Sequence, residues 1–135
     1  MDQGDIIIQA SFPIESDYTA TFIRKLDEEI SLLLISKLFD KWPDGKAKGI
    51  KQTGKGSYRK RRNPRENQIN INESIENLLP HLRGVESKHP AYFYYDNIKY
   101  NISISPEKKA DFPKEVTIEY PYLNKIEIWR KKGID

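Results

Sequence analysis

The stretch YFYYDNIKYNISI, residues 92–104, carries the clearest strand signal in the chain. Aromatic residues precede Asp96 and Asn97, and β-branched residues alternate with polar ones after them, which is typical of two strands joined by a two-residue turn. Because side chains alternate between the two faces of a strand, Ile98, Tyr100 and Ile102 share one face. The stretch therefore predicts a β-hairpin with one face buried.

Two further segments with a period of two follow the hairpin. In the first, Val116, Ile118 and Tyr120 alternate with polar residues, and the second contains Ile126 and Ile128. With the hairpin they predict a four-stranded antiparallel meander whose outward face is polar. That face is predicted to display Lys99, Asn101, Ser103, Glu115, Thr117, Glu119, Lys125, Glu127 and Trp129. Charged residues on neighbouring strands of such a face usually form cross-strand ion pairs.

Upstream of the hairpin, the chain predicts a strand followed by a long helix. The isoleucines at 6, 7 and 8 form a continuous β-branched run, which favours a central strand over residues 5–12. Ser16 or Asp17 then caps a helix that runs to about Lys41, with apolar residues spaced three and four apart. Over residues 30–39 the apolar positions wrap most of the helix, which favours a deep core position or contact with a second copy of the chain.

A shorter helix is predicted between the long helix and the hairpin. Asn72 or Ser74 provides its cap and Gly84 its end, while Pro80 predicts a kink. The element order is therefore β-α-loop-α-β-β-β-β. Helices followed by strands indicate an α+β fold, in which the long N-terminal helix packs on a mainly antiparallel sheet.

Length and composition favour a single domain over residues 1–135. The absence of cysteine excludes disulfide bonds and thiolate metal sites, and the two histidines fit no compact zinc pattern. No metal or cofactor is predicted. The longest apolar run is far shorter than a membrane span and no signal peptide is evident, so we expect a cytoplasmic protein without membrane contact.

The positive charge of the chain is concentrated in residues 43–66, which we call the basic segment. It contains nine basic and two acidic residues, a local charge of +7, so the rest of the chain carries −4 of the net charge of +3. The segment has few apolar residues and four glycines, which indicates a flexible loop or a two-stranded ribbon turning at residues 54–56. A localised positive charge of this kind indicates one anionic partner.

The basic segment contains several arginine side chains and one tyrosine, Tyr58. Arginine pairs bidentately with phosphate, and Tyr58 has the ring needed to stack on an unpaired base. We therefore predict a small nucleic-acid-binding module that contacts the backbone of DNA or RNA. Its predicted binding residues are Lys51, Lys55, Tyr58, Arg59, Lys60, Arg61, Arg62 and Arg65.

Residues 49–56 match the phosphate-binding loop of nucleotide hydrolases up to the last position. There Gly56 stands where the motif needs a Ser or Thr to hold magnesium, no apolar strand leads into the match, and no helix is predicted after it. We interpret its glycines as a source of loop flexibility.

Two alternative functions fit the same sequence. One is an immunity-type or anti-defence inhibitor, in which the basic segment and a tyrosine-rich face bind an acidic protein surface. The other is a metal-independent ribonuclease, whose acid, base and phosphate-stabilising groups would be drawn from His81, His89, Glu66 and Arg62. No catalytic residue is predicted outside that last alternative.

Overall fold

The computed structural model describes residues 3–132, and its strands form two separate antiparallel sheets. The elements in chain order are β1 (Gln9–Ser11), α1 (Ala20–Lys41), α2 (Ile75–Arg83), β2 (Ala91–Tyr95), β3 (Ile98–Ile102), β4 (Glu115–Tyr120) and β5 (Lys125–Arg130). One sheet has the order β1-β4-β5, and the other is the β2-β3 hairpin. The α+β fold and the element order are confirmed. The single meander is wrong, because β4 pairs with β1 rather than with β3.

The chain groups into two compact units. The three-strand unit comprises the described residues of Met1–Ile14, Leu26–Ser57 and Asp111–Asp135, and the hairpin unit comprises Glu15–Lys25 and Tyr58–Ala110. Helix α1 supplies its first residues to the hairpin unit and the remainder to the three-strand unit. In the part of the chain from residue 3 to 132, no helix is both long and apolar enough to cross a membrane.

The core of the three-strand unit lies on one face of its sheet. Val116, Ile118 and Tyr120 are at most 2% exposed, as their alternation predicts, and Leu26 and Ile30 of α1 are also buried. Helix α1 lies against this inner face, since its Lys37 forms an ion pair with Glu127 of β5. The Trp42 ring, just beyond the helix, lies 6.3 Å from the Tyr120 ring.

In strand β5 the inner and outer faces are exchanged relative to the prediction. Residues paired across an antiparallel ladder share a face, and Glu119 pairs with Ile126 while Ile118 pairs with Glu127. Ile126 is consequently 65% exposed, whereas Glu127 lies on the inner face with Lys37. The predicted outward face is therefore wrong at three positions, which are Lys125, Glu127 and Trp129.

Strand β1 is short and lies at an edge of its sheet, so the prediction of a central strand over residues 5–12 is wrong. The isoleucine run precedes the strand, and its residues are half-buried. Ile6 exchanges two backbone hydrogen bonds, of 2.8 and 3.0 Å, with Ile50 of the basic segment. The backbone at Ile6 is therefore paired with a loop through an isolated bridge rather than with a strand of the sheet.

Helix α1 begins later than predicted and ends where expected. Thr19, rather than Ser16 or Asp17, accepts a hydrogen bond from the backbone N–H of Phe22 at 3.2 Å, and the helix starts at Ala20. The preceding turn is held by the burial of Tyr18, whose ring meets that of Phe22 edge to face.

The C-terminal half of α1 carries an exposed apolar stripe. Leu32, Ile35 and Phe39 are between 51% and 68% exposed, and their spacing places them on one side of the helix. The prediction that this half is deeply buried is therefore wrong for the stripe. Only the opposite side of the helix, which includes Leu26 and Ile30, is buried.

The hairpin unit is built around Ile69, Leu82, Val85 and Ala91, which form one buried apolar cluster. Helix α2 contributes Leu82 and is capped by the Ser74 side chain, as predicted, with Gly84 at its end. The helix continues through its internal proline.

The β2-β3 hairpin is confirmed, with Asp96 and Asn97 as its turn. Both have positive φ, at 49° and 61°, which is the geometry of the tight turn that matches strand twist. The prediction of one buried face fails near this turn, because Ile98 and Tyr100 are 54% and 43% exposed. Ile102, farther from the turn, packs against the core.

Candidate functional site

The basic segment is an exposed loop that ends in a single turn of 3₁₀ helix, Pro64–Asn67. Residues 51–62 contain no strand, so of the two predicted forms the structure has the loop and lacks the ribbon. Gly54 has a φ of +97°, which favours glycine, and it provides a local reversal without strand pairing. A loop in this form leaves the lysine and arginine side chains in solvent.

The basic segment is divided between the two units after Ser57. In the three-strand unit, Lys51 and Lys55 line a cavity of about 600 Å³ that also includes Asp5. Its loop is attached to the N-terminal region by Gln52 Nε2, which donates to the Gly4 carbonyl at 2.8 Å. The remaining six predicted binding residues lie in the hairpin unit.

The 3₁₀ turn is fixed by a capping box. Asn63 Oδ1 accepts from the Arg65 N–H at 3.0 Å, and Glu66 Oε2 accepts from the Asn63 N–H at 3.1 Å. Pro64 lies at the first position of the turn, where its fixed φ is favourable. The turn places Asn67 in the interior of the unit, where it is 5% exposed.

A pocket of about 740 Å³ lies in the hairpin unit where this turn meets the loop after α2. We call it the arginine pocket. It is lined by four cationic side chains, one carboxylate, a histidine and a mixture of polar and apolar groups, namely Arg24, Lys60, Arg61, Arg62, Asn63, Pro64, Asn67, Gly84, Val85, Glu86 and His89.

Some of the charged side chains that line the arginine pocket form an ion pair and others do not. Arg24, in the first turns of α1, forms an ion pair with Glu86. Among the described residues, no ion pair involves Lys60, Arg61 or Arg62. Since the carboxylate is already neutralised by Arg24, the three remaining cations leave the pocket with a positive potential.

Asn67, one of the residues that line the pocket, is nearly buried and makes one side-chain hydrogen bond. Its Nδ2 donates to the carbonyl oxygen of His89 at 2.8 Å, which fixes the orientation of the amide. Its Oδ1 is buried and has no hydrogen-bond partner. Buried polar atoms are nearly always paired, so this oxygen is an exception in the interior of the hairpin unit.

The arginine pocket brings together three of the predicted binding residues, Lys60, Arg61 and Arg62. Tyr58, Arg59 and Arg65 belong to the same unit and are exposed without lining it, and Tyr58 is 84% exposed. An exposed aromatic ring of this kind presents both faces to solvent.

The residue set of the predicted ribonuclease is only partly assembled. Arg62 and His89 line the arginine pocket, but His81 does not, and its Nε2 is buried. Glu66 is committed to the capping box. The acid and base of that alternative therefore do not face one another across the pocket. In residues 3–132, no group of three histidine, aspartate or glutamate side chains could hold a metal ion.

Three residues of the site were missed by reasoning from the sequence, namely Arg24, Glu86 and Asn67. The capping box was readable in advance, since Asn63 with proline next and Glu66 three positions later is a helix-start signal. That signal would have located the turn leading into Asn67. The Arg24–Glu86 pair joins residues far apart in sequence and has no local signal.

A second charged cluster lies in the three-strand unit. The hydrogen bond from Lys37 Nζ holds the pKa of Glu127 below its usual value. Burial and the neighbouring Glu127 carboxylate raise the pKa of Tyr120 to about 12. Lys125 lowers the pKa of Lys41, whose ammonium group also lies 5.2 Å from the centre of the Tyr120 ring. Within this cluster Lys37 and Tyr120 both donate to Glu127, and the contact of Lys37 with Glu127 joins α1 to β5.

Comparisons of this chain with protein-family models, with curated proteins and with solved structures find no match.

Proposed function

We propose that this protein binds nucleic acid through the basic segment. The observation that carries the proposal is the cluster of Lys60, Arg61 and Arg62 around a pocket, with no acid paired to them among the described residues. Arginine forks match the oxygens of a phosphate group, and release of counterions supplies the driving force.

Tyr58 extends the interface beyond phosphate contacts. Its side chain is 84% exposed, two residues before the cations of the pocket. Stacking of a base on an aromatic ring is worth about 1–3 kcal/mol and requires an unpaired base. This supports a preference for single-stranded over duplex nucleic acid.

The test is fluorescence anisotropy with labelled single-stranded RNA and DNA between about 50 and 200 mM salt. We expect the logarithm of the association constant to fall linearly with the logarithm of salt concentration. The triple variant Arg59→Ala, Arg61→Ala, Arg62→Ala removes three phosphate contacts, so the slope falls by about 2. Binding without salt dependence, or a triple variant with native affinity, would refute the proposal.

A matched control removes the same charge elsewhere. Lys108, Lys109 and Lys114 are exposed lysines outside the basic segment. Their simultaneous replacement by alanine lowers the net charge by the same amount, and we expect the slope to stay within about 0.5 of the native value. Equal losses in the two triple variants would mean that net charge alone drives binding.

The second candidate function is a module that binds a partner enzyme, as an immunity-type or anti-defence inhibitor does. The exposed stripe of Leu32, Ile35 and Phe39 favours it, because large apolar residues grouped on a surface are typical of protein interfaces. The test is capture from a nuclease-treated lysate. A partner retained by the native protein and lost with Ile35→Glu supports this function, and a partner lost on nuclease treatment supports nucleic-acid binding.

A further inference from the structure

Strand β3 is the free edge of the two-stranded sheet in the hairpin unit. Within residues 3–132 it pairs only with β2. The other side of β2 is partly covered, since the Ile69 N–H donates to the Tyr92 carbonyl at 2.8 Å. Every side chain of β3 except that of Ile102 is exposed. An exposed edge strand is a template on which a further strand can pair.

The outward backbone groups of β3 belong to Lys99 and Asn101. A tight turn joins its first and fourth residues by a hydrogen bond, here Tyr95 and Ile98, and bonded pairs then recur at every second position of the ladder. The N–H and C=O groups of Lys99 and Asn101 therefore point away from β2. In the described part of the chain, no third segment forms a backbone hydrogen bond with them.

The apolar face of the hairpin continues beyond its core. Ile102 packs against the buried cluster, whereas Tyr100 and Ile98 on the same face are 43% and 54% exposed. The Tyr100 ring stacks on Phe93 of β2, with the ring centres 5.4 Å apart. A hairpin alone is marginally stable in water, and a third strand on an apolar face adds stability. The free edge of β3 therefore lies beside an apolar face that a further strand would extend.

The sequence of β3 is complementary to itself. Isoleucines lie at both ends, polar residues lie at the two positions between, and Tyr100 is at the centre. Antiparallel pairing of two copies about Tyr100 sets Ile98 opposite Ile102 of the second copy and Lys99 opposite its Asn101. Lysine then faces a neutral amide, so no like charges oppose one another. The register also makes Lys99 and Asn101 a hydrogen-bonded pair, which uses the groups that point outward.

The neighbouring registers are less favourable. Pairing centred on Lys99 sets two ammonium groups opposite each other, and pairing centred on Asn101 leaves Ile98 without an opposite residue in β3. A shift by a single residue sets apolar side chains opposite polar ones. Charge and alternation therefore favour the register centred on Tyr100.

We propose that a second copy of this chain binds along β3, so that two hairpins join into one antiparallel sheet of order β2-β3-β3-β2. The dimer is two-fold symmetric, because each copy contributes the same strand in the same register. Lys99 of one copy and Asn101 of the other exchange backbone hydrogen bonds, and the two Tyr100 rings meet at the symmetry axis. The proposal is independent of nucleic-acid binding.

The first test is sedimentation equilibrium of the full chain, purified free of nucleic acid, from about 5 to 500 µM. The interface is small, so we expect a Kd of about 10–100 µM and a mass that rises toward twice the 15.8 kDa of one chain. A protein that is still a monomer at about 500 µM would overturn the proposal.

Two charge variants test the register. Asn101→Lys makes the facing residues basic, and Lys99→Glu with Asn101→Glu makes them acidic. Each variant alone should dimerise about tenfold more weakly than the native protein, because like charges then face one another on both sides of Tyr100. An equimolar mixture sets lysine opposite glutamate, and we expect a heterodimer at least as tight as the native dimer. Its formation also shows that both variants are folded.

Asn72→Lys is the matched control, since Asn72 is an exposed asparagine of the hairpin unit outside β3. We expect it to dimerise within about twofold of native. A mixture of the two charge variants that stays monomeric would overturn the pairing through β3. Native dimerisation of each charge variant alone would do the same, because the interface would then lie on another surface.

Oxidation of Tyr100→Cys tests the symmetry axis. The native chain has no cysteine, so the introduced thiol can form a protein disulfide only with its own copy. Facing residues of a pair without hydrogen bonds have Cα atoms about 4.5 Å apart, which suits a disulfide. In Lys99→Cys the two thiols are diagonal, with Cα atoms about 7–8 Å apart. In a glutathione buffer we expect about tenfold more cross-linked dimer for Tyr100→Cys. Equal cross-linking of the two variants would contradict the register.

Discussion

Arg24 and Glu86 form an ion pair among the residues that line the arginine pocket. The pair offsets the charge of Glu86, the one carboxylate in that lining. We expect Arg24→Ala to release the carboxylate and to weaken binding of single strands by about 1 kcal/mol, roughly fivefold in Kd. Anisotropy titration at constant salt measures the change.

The double variant Arg24→Ala, Glu86→Gln separates two explanations of that loss. If Arg24 acts by neutralising Glu86, removal of the carboxylate charge restores the Kd to within about twofold of native. If the double variant binds as weakly as Arg24→Ala alone, Arg24 contacts the strand itself and the role assigned to the ion pair is wrong.

Tyr120 makes the free energy of unfolding depend on pH in the alkaline range. Its pKa rises from 10.0 to about 12 through burial and the Glu127 carboxylate. Between pH 10 and 12 the folded state therefore holds a proton that the unfolded state has lost, and the free energy of unfolding falls as pH rises across this range. Its contribution is complete below pH 10.

The variant Tyr120→Phe tests this dependence. It removes the hydrogen bond of 3.2 Å from Tyr120 to Glu127, and we expect a loss of about 1 kcal/mol at neutral pH. Denaturant unfolding at a series of pH values should show the difference between native and variant shrinking above pH 10, and absorbance at the phenolate band should lose a step near pH 12. A difference that is constant with pH would contradict the shifted pKa.

At the scale of the element, the sequence predicted the structure well where a turn or a cap depends only on residues close together in the chain. The hairpin turn at Asp96 and Asn97 and the Ser74 cap of α2 depend only on neighbouring residues. The core alternation of β4 was also correct. The pairing of β4 with β1 joins residues far apart in the chain, and there the prediction of a single meander failed.

Strand β5 illustrates the failure in physical terms. Its apolar residues, Ile126 and Ile128, alternate as a buried face would, yet the register with β4 turns them outward. The inner position is taken by Glu127, which is acceptable there because Lys37 and Tyr120 both donate to it. Neither donor is adjacent in sequence, so the composition of β5 alone gave the wrong face.

The inverted face of β5 leads to a direct test. Ile126→Thr and Ile128→Thr keep a β-branched residue on an exposed surface, and we expect each to change the free energy of unfolding by at most about 0.5 kcal/mol. Ile118→Thr places a hydroxyl in a fully buried position and should cost about 2–4 kcal/mol. Denaturant unfolding measures all three. Equal costs at Ile118 and Ile126 would show that β5 is buried on its isoleucine face.

At the scale of the whole molecule, the division of charge was predictable and the pocket was not. The +7 charge of the basic segment follows from counting residues, and the segment is an exposed loop as expected. The arginine pocket needs Arg24 from α1 and Val85 and His89 from beyond α2, which only tertiary packing brings to Lys60. Local sequence therefore indicated the charge of the segment, and tertiary packing determined which other residues lie beside it.

The basic segment has a lysine half, with Lys51 and Lys55, and an arginine half, residues 58–65. We expect the arginine half to bind short and long strands and the lysine half to contribute only to the binding of long ones. A strand of about 4 nucleotides is long enough to contact the arginine half of the segment, whereas one of about 16 nucleotides is also long enough to contact Lys51 and Lys55, which directly precede that half in the chain. We expect Lys51→Ala with Lys55→Ala to leave the affinity for the short strand within about twofold of native. For the long strand, loss of two phosphate contacts should lower the salt slope by about 1.4.

The control for this comparison is Lys108→Ala with Lys109→Ala, which removes the same charge outside the basic segment. It should alter neither strand's slope by more than about 0.5. If the Lys51 and Lys55 variant weakens short and long strands equally, the lysines act at the same nucleotides as the arginine pocket. If it weakens neither, the interface is confined to the hairpin unit and the lysine half of the segment takes no part in binding.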